Sequence, residues 1–158
     1  MFSLLKRTII LACSAVLIGF GGCGIGGVDV KVHVSPETQA EVAQAGDVVE
    51  VLLRFGSVDM DALNDEETLN LRRIGVLCEP GPDDAYFSEY RQWTGPSSPM
   101  TVTVFLVPSD RPHLECGNWP ISELVQGSRD LLDGAISIEG FVEEGDYEDG
   151  FAVLDLRM

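Results

Sequence analysis

The chain has 158 residues and is strongly acidic, since 26 Asp and Glu residues against 10 Lys and Arg residues give a formal net charge of −16. All of the acidic residues follow Cys23, whereas two of the basic residues, Lys6 and Arg7, precede it. Because nucleic-acid binding depends on basic side chains that meet phosphates, this charge excludes a nucleic-acid partner. It also excludes attachment to anionic lipids through a basic patch.

The first 22 residues have the pattern of an export signal. Lys6 and Arg7 form a short positive region, and residues 8–20 are uncharged and mainly apolar. This order is typical of a signal peptide with its n-region and h-region. The alternative is a permanent transmembrane helix, which needs about 20 apolar residues. Glycines already begin at Gly19, so the run favours the signal peptide.

The signal ends in the sequence Phe20-Gly21-Gly22-Cys23. It resembles the bacterial lipobox, although Phe20 stands where leucine is usual. The resemblance implies cleavage before Cys23, a diacylglycerol on its thiol, and an acyl chain such as palmitate on its amino group. It divides the chain into a signal peptide (1–22), a lipidated cysteine with a short glycine tether (23–27), and one domain (28–158).

This resemblance also implies a location in the cell envelope. In lipoproteins of cells with two membranes, retention in the inner membrane favours aspartate after the cysteine, and this chain has Gly24. The outer membrane, on its periplasmic or surface face, is therefore expected if the host is diderm. The alternative is an ordinary secretory signal in which Cys23 has no special role.

Cys78 and Cys116 are the cysteines that remain once residues 1–22 are removed and Cys23 is acylated. In an oxidising compartment they predict a Cys78–Cys116 disulfide, worth about 4 kcal/mol in the chain-entropy model. A metal site is the alternative, because His113 lies three residues before Cys116. Zinc and copper sites need three or four ligands at recognisable spacing, so no metal and no cofactor is predicted.

The sequence pattern at the start of the domain predicts two strands. Valines at 28, 30, 32 and 34 alternate with polar residues, which indicates a half-buried strand with His33 on its wet face. Ser35-Pro36 breaks it, 37–45 is expected to continue as an edge strand, and 48–55 is a second apolar strand after a turn. This arrangement resembles the opening of many bacterial immunoglobulin-like sandwiches.

Further strands are expected at 74–78, 100–107, 135–142 and 151–156. The last two are expected to form a hairpin, because a glycine-punctuated acidic loop joins them. A helical turn is expected at 65–69. The segment 121–132 is compatible with a short helix capped by Ser122, but Gly127 interrupts that pattern and leaves its structure open. Six or seven short strands predict an all-β fold, an antiparallel immunoglobulin-like β-sandwich after an N-terminal signal helix.

Residues 79–99 are expected to form a long loop rich in proline and aromatic residues. Tyr, Trp and Arg dominate binding energies at interfaces. The loop and its neighbour at 108–120 therefore supply the candidate partner-binding residues Tyr86, Phe87, Tyr90, Arg91, Trp93 and Trp119. The alternative is that these rings cover an open end of the sandwich.

The acidic loop after residue 142 is a weak candidate for calcium, which prefers several oxygen ligands on a flexible loop. Its carboxylates are Glu143, Glu144, Asp146, Glu148 and Asp149. A second acidic group comprises Asp59, Asp61, Asp65, Glu66 and Glu67. The alternative for both groups is a solvated surface that discourages edge-to-edge pairing of strands.

No motif for catalysis is present in the sequence, which has two histidines and neither a nucleophile elbow nor a phosphate-binding glycine loop. We therefore expect a protein that is not an enzyme. The sequence predicts a lipid-anchored envelope lipoprotein that acts as a binding or structural module, with an envelope protein as its partner. The alternative is a small-ligand or calcium-binding extracytoplasmic protein that uses its acidic loops.

Overall fold

A computed structural model of the protein describes residues 26–78, 99–110 and 123–158, together with the backbone of 85–92. The predicted signal helix, Cys23 and the start of the tether lie outside these ranges. Among the helices that are described, none combines the length and the apolar character needed to cross a membrane.

The described part of the chain is mostly β, as predicted. Two short helices, α1 (Pro36–Ala43) and α2 (Arg129–Leu132), and a 3-10 turn (Glu144–Asp146) interrupt the strands. The strands are β1 (Gly26–His33), β2 (Val48–Phe55), β3 (Leu69–Leu77), β4 (Ala85–Gln92), β5 (Met100–Ser109), β6 (Glu123–Gly127), β7 (Ile136–Val142) and β8 (Phe151–Arg157). The predicted strands at 28–34, 48–55, 100–107, 135–142 and 151–156 are therefore confirmed.

The strands form two sheets. A five-stranded sheet has the order β6-β3-β2-β5-β7, and every neighbouring pair in it is antiparallel. A three-stranded sheet has the order β4-β1-β8, in which β1 runs antiparallel to β4 but parallel to β8. The expectation of antiparallel pairing holds for the larger sheet and is wrong for β1 and β8.

One core joins the two sheets. The valines of β1 and the adjoining Val34 are at most 1% exposed, as their alternation predicts. They belong to one cluster with residues of β2, β5 and β8, among them Val51, Val104 and Ala152. Burying a side chain of this size contributes about 1.5–3 kcal/mol, so this shared face is the main source of stability.

The five-stranded sheet is also covered on its outer face. Leu52, Leu71 and Phe105 point away from the first core and form a second cluster with Leu63 and Leu132. A sheet buried on both faces needs continuous apolar runs rather than strict alternation. This explains why every residue from Val48 to Leu53 is buried.

Residues 36–43 form helix α1, so the expected edge strand at 37–45 is wrong. Ser35 is the N-cap, and its Oγ accepts a hydrogen bond of 3.1 Å from the backbone N–H of Thr38. Pro36 occupies the first turn, where its missing N–H costs nothing. Gln39 is buried and donates from Nε2 to the carbonyl oxygen of Val34 at 3.2 Å.

The expectation of a structureless connection at 79–99 is wrong at its centre, where the backbone forms β4. In the register of β4 with β1, Tyr86 is opposite Val32 and Tyr90 is opposite Val28. Aromatic residues favour strands when a partner is available, and here the partner lies more than fifty residues earlier in the chain. Strand β3 is also longer than the expected 74–78, and it includes Leu69, so the helical turn expected at 65–69 does not extend to that residue.

The segment 121–132 is not one helix, because 123–127 pairs with β3 as strand β6. Gly127 closes that strand, where a Cβ would lie 2.5 Å from Leu131 Cδ2 and 2.8 Å from Leu71 Cδ1. The expected hairpin of 135–142 with 151–156 is also wrong. Strand β7 pairs with β5 and β8 pairs with β1, so residues 143–150 cross from one sheet to the other.

Candidate binding groove

A buried carboxylate lies in the outer face of the five-stranded sheet. Glu50 is 4% exposed and belongs to β2, which is otherwise apolar over 48–53. Arg73 of β3 donates from Nε to Glu50 Oε2 at 3.0 Å. Ser109 at the end of β5 donates from Oγ to Glu50 Oε1 at 2.8 Å. Both carboxylate oxygens therefore have a donor, as a buried charge requires.

Arg73 extends this network to solvent. Its Nη1 donates to Glu123 Oε2 at 3.1 Å, and Glu123 is opposite Arg73 in the register of β3 with β6. The side chain of Arg73 is 11% exposed, whereas that of Glu123 is 59% exposed. The guanidinium thus holds one buried and one solvated carboxylate, and the network spans four neighbouring strands.

An open groove of about 780 Å³ lies over this ion pair. The turn at 45–46, the end of β5 and helix α2 form its walls, and Val125 and Leu131 add apolar surface. Asp110, Asp130 and Asp133 also line the groove, in addition to Glu50, while Arg73 is its one cationic residue among those described. The groove is therefore electronegative, and it combines fixed hydrogen-bonding groups with apolar contacts, as ligand-binding surfaces do.

The residues predicted for partner binding are only partly placed. Tyr86, Phe87, Tyr90 and Arg91 belong to β4, in the sheet opposite the groove. Trp93 and Trp119 lie outside the described residues. Ser109 and Asp110 line the groove and belong to the segment 108–120 that the sequence nominates as a contact surface.

The cysteine predictions also fall largely outside the described ranges. Cys23, the predicted lipidation site, and Cys116 are not described. Cys78 directly follows β3 and is not a free thiol. Its pairing with Cys116 stays a prediction.

Carboxylates of the two acidic groups take part in local turns. Glu143 and Asp146 form a reciprocal capping box, in which the backbone N–H of Glu143 donates to Asp146 Oδ2 at 2.8 Å. Asp59 Oδ1 accepts from the backbone N–H groups of Asp61 and Ala62. Nowhere in 26–78, 99–110 or 123–158 do three or more acidic, histidine or cysteine side chains come together as a metal site.

Two further titratable residues, His33 and Tyr147, lie outside the groove. His33 lies on the outer face of the three-stranded sheet, with Nε2 at 3.5 Å from Asp155 Oδ2. Partial burial, together with the neighbouring carboxylate of Asp146, raises the pKa of the Tyr147 hydroxyl above its usual 10.0.

Sequence reasoning missed the Glu50–Arg73 network. The available signal was one acidic residue inside the apolar run 48–53, which an alternating strand would have placed in solvent. No protein-family model, curated protein or solved structure matches this chain.

Proposed function

We propose that this chain is a bacterial envelope lipoprotein, anchored through acyl chains on Cys23, whose β domain acts as a binding or structural module without catalysis. The observation that supports the anchor is the position of the first strand. Strand β1 begins at Gly26, three residues after Cys23, and the backbone N–H of Gly27 donates to the carbonyl oxygen of Gly150 at 3.0 Å. The first described strand therefore lies within three residues of the proposed anchor.

The groove over Glu50 and Arg73 is the proposed contact surface. Its floor is rigid, because the paired strands β2, β3 and β5 carry it. Its negative lining favours a partner segment with basic side chains, and Val125 and Leu131 offer apolar contacts. An envelope protein is the partner that the compartment implies.

Finer features of the proposal rest on the same observations. Two sheets that share one core are compatible with an immunoglobulin-like sandwich. The parallel pairing of β1 with β8 departs from a purely antiparallel arrangement. The engaged thiol of Cys78 supports the proposed disulfide with Cys116. If the host is diderm, the outer membrane is the proposed location.

The test of the anchor is the intact mass of the protein extracted from its host's membranes, measured with and without reductant. We expect the mass of residues 23–158 plus acyl chains, with a gain of two hydrogens on reduction. The matched control is Cys23→Ser, which should no longer be found in the membrane fraction. An unlipidated product cut elsewhere would contradict the proposal.

A competing proposal is a small-ligand or calcium-binding protein that uses its carboxylates. Thermal unfolding with calcium and with a chelator separates the two, since a ligand stabilises only the state that it binds. A rise of several degrees that the chelator reverses would favour the competing proposal. An unchanged midpoint would favour the lipoprotein module.

A further inference from the structure

The two acidic groups are distant in the sequence but leave the five-stranded sheet at the same end. Phe55, the last residue of β2, is opposite Val102 near the start of β5, and the backbone N–H of Gly56 donates to the Thr101 carbonyl at 2.7 Å. Val142, the last residue of β7, is opposite Met100, the first residue of β5. The loops 57–67 and 143–150 therefore begin at the same end of the sheet, on either side of β5.

The first strand starts at this same end. Gly27 is hydrogen-bonded to Gly150, and a Cβ on Gly26 would lie 2.9 Å from the Gly150 carbonyl oxygen. Only residues 24 and 25 separate this strand from Cys23. Three residue steps span at most about 11 Å, so an anchor at Cys23 would bring this end, which we call the tether end, close to the headgroups.

The ion pair under the groove lies towards the other end of the molecule. Ser109 is the last residue of β5 and is opposite Val48, the first residue of β2. A strand of ten residues such as β5 extends over about 33 Å. Glu50 is opposite Val107, two residues from that far end.

We propose that the tether end faces the bilayer and that its carboxylates hold it off an anionic headgroup surface, so that the groove is directed away from the membrane. This inference rests on the proposed anchor. The distance that the tether allows is close to the Debye length of about 8 Å at physiological salt. The negative surface potential of the lipids therefore repels carboxylates at this end.

Apolar side chains at the tether end act in the opposite direction. Phe141 is 56% exposed and Phe151 is 37% exposed, and both lie next to the loop 143–150. On an uncharged surface they can enter the headgroup region. On an anionic surface the more numerous carboxylates of the two loops prevail, because each one is repelled while only two rings gain contact.

The experiment measures the height of the far end above the bilayer. The protein, purified with its anchor, carries a donor dye on a noncanonical residue at Gln44, which is exposed in the turn before β2. It is reconstituted into vesicles of equal parts phosphatidylethanolamine and phosphatidylglycerol that contain a lipid-bound acceptor. The test variant is E66Q/E148Q/D149N at the tether end, and the control E37Q/E41Q/D47N removes the same number of exposed charges elsewhere.

We expect energy transfer to rise in the test variant and to stay at the wild-type value in the control. Raising salt to about 1 M, where the Debye length falls to about 3 Å, should raise transfer in the wild type as well. Equal transfer in all three proteins together with no salt effect would overturn the orientation but leave the anchor intact. Failure of the wild type to float with the vesicles would overturn both proposals.

Discussion

Replacing Arg73 by methionine should destabilise the domain by leaving a buried carboxylate without its counter-ion. Glu50 is 4% exposed and would keep the Ser109 hydroxyl as a donor, while the guanidinium at 3.0 Å would be gone. Removing one partner of a buried ion pair costs about 3–5 kcal/mol. Because Arg73 also reaches solvent through Glu123, we expect the lower value, about 3 kcal/mol. For a chain of this length that corresponds to a fall in Tm of about 6–12 °C.

The double variant E50L/R73M is the informative comparison. When both partners of a buried pair become apolar side chains of similar volume, stability is often unchanged or higher. The double variant should therefore be more stable than R73M alone. Glu123→Gln is the control, because it removes the exposed carboxylate and should cost no more than about 1 kcal/mol.

The assay is urea unfolding at neutral pH, followed by circular dichroism, with equal m-values required so that the midpoints can be compared. With Glu50→Leu as the second single variant, a coupling energy between Glu50 and Arg73 appears as a departure from additivity in the double-mutant cycle. A loss below about 1 kcal/mol in R73M, or additive single effects, would refute the reasoning that the pair is buried and interdependent.

Three smaller changes test local features. Ser35→Ala should cost about 1 kcal/mol in urea unfolding, because it removes the N-cap of α1, whereas Ser35→Asp should restore most of the loss. Asp149 has a φ of 51°, so Asp149→Asn should leave the free energy of unfolding unchanged and Asp149→Val should lower it by about 1–2 kcal/mol; equal stability of the two variants in urea unfolding would contradict this. Because the pKa of Tyr147 is raised above 10.0 in the folded state, the stability that this shift contributes is present below pH 10 and is lost as the pH rises through the folded pKa. Ultraviolet titration of the wild type should show a phenol that ionises late, and this late transition should be missing in Tyr147→Phe; its persistence in the variant would contradict the assignment.

The strands that a local pattern specifies were predicted well. The alternating valines of β1 define both its buried face and its span, and the apolar runs of β2 and β5 end at turn residues. Helix α1 had a local signal too, since serine, proline and glutamate occupy its N-cap and first turn. Only Gln39 and Val42 of this helix are buried, so its sequence lacks the helical periodicity of apolar residues that would predict it.

The pairing of distant strands could not be predicted from the sequence. Strand β4 exists because β1 offers it an antiparallel edge, and β8 lies parallel to β1 although the two are at opposite ends of the chain. The acidic segment 143–150 has the composition of a hairpin loop. It contains a two-residue turn at Asp149-Gly150, bracketed by hydrogen bonds between Glu148 and Phe151, yet it connects two sheets.

The candidate site was unpredictable for the same reason. Arg73 is 23 residues from Glu50, and Ser109 is 59 residues from it. A lone glutamate in an apolar strand indicates that something must compensate its charge, but the sequence does not identify the partner. The pairing of β2 with β3 decides it, because it sets Arg73 opposite Leu52, two residues from Glu50 on the same face.

The ion pair is hard to explain by stability alone. The neighbouring positions on the same face are filled by Leu52, Leu71 and Phe105, and apolar residues at positions 50 and 73 would extend that cluster without paying for desolvation. If E50L/R73M is as stable as the wild type, the fold does not need the pair. The charges would then matter for the groove above them, where they fix Ser109 and Glu123 at opposite sides of the floor. If an envelope protein co-purifies with the wild type but not with a fully stable E50L/R73M, the network is linked to binding. Unchanged co-purification would assign the contact surface elsewhere.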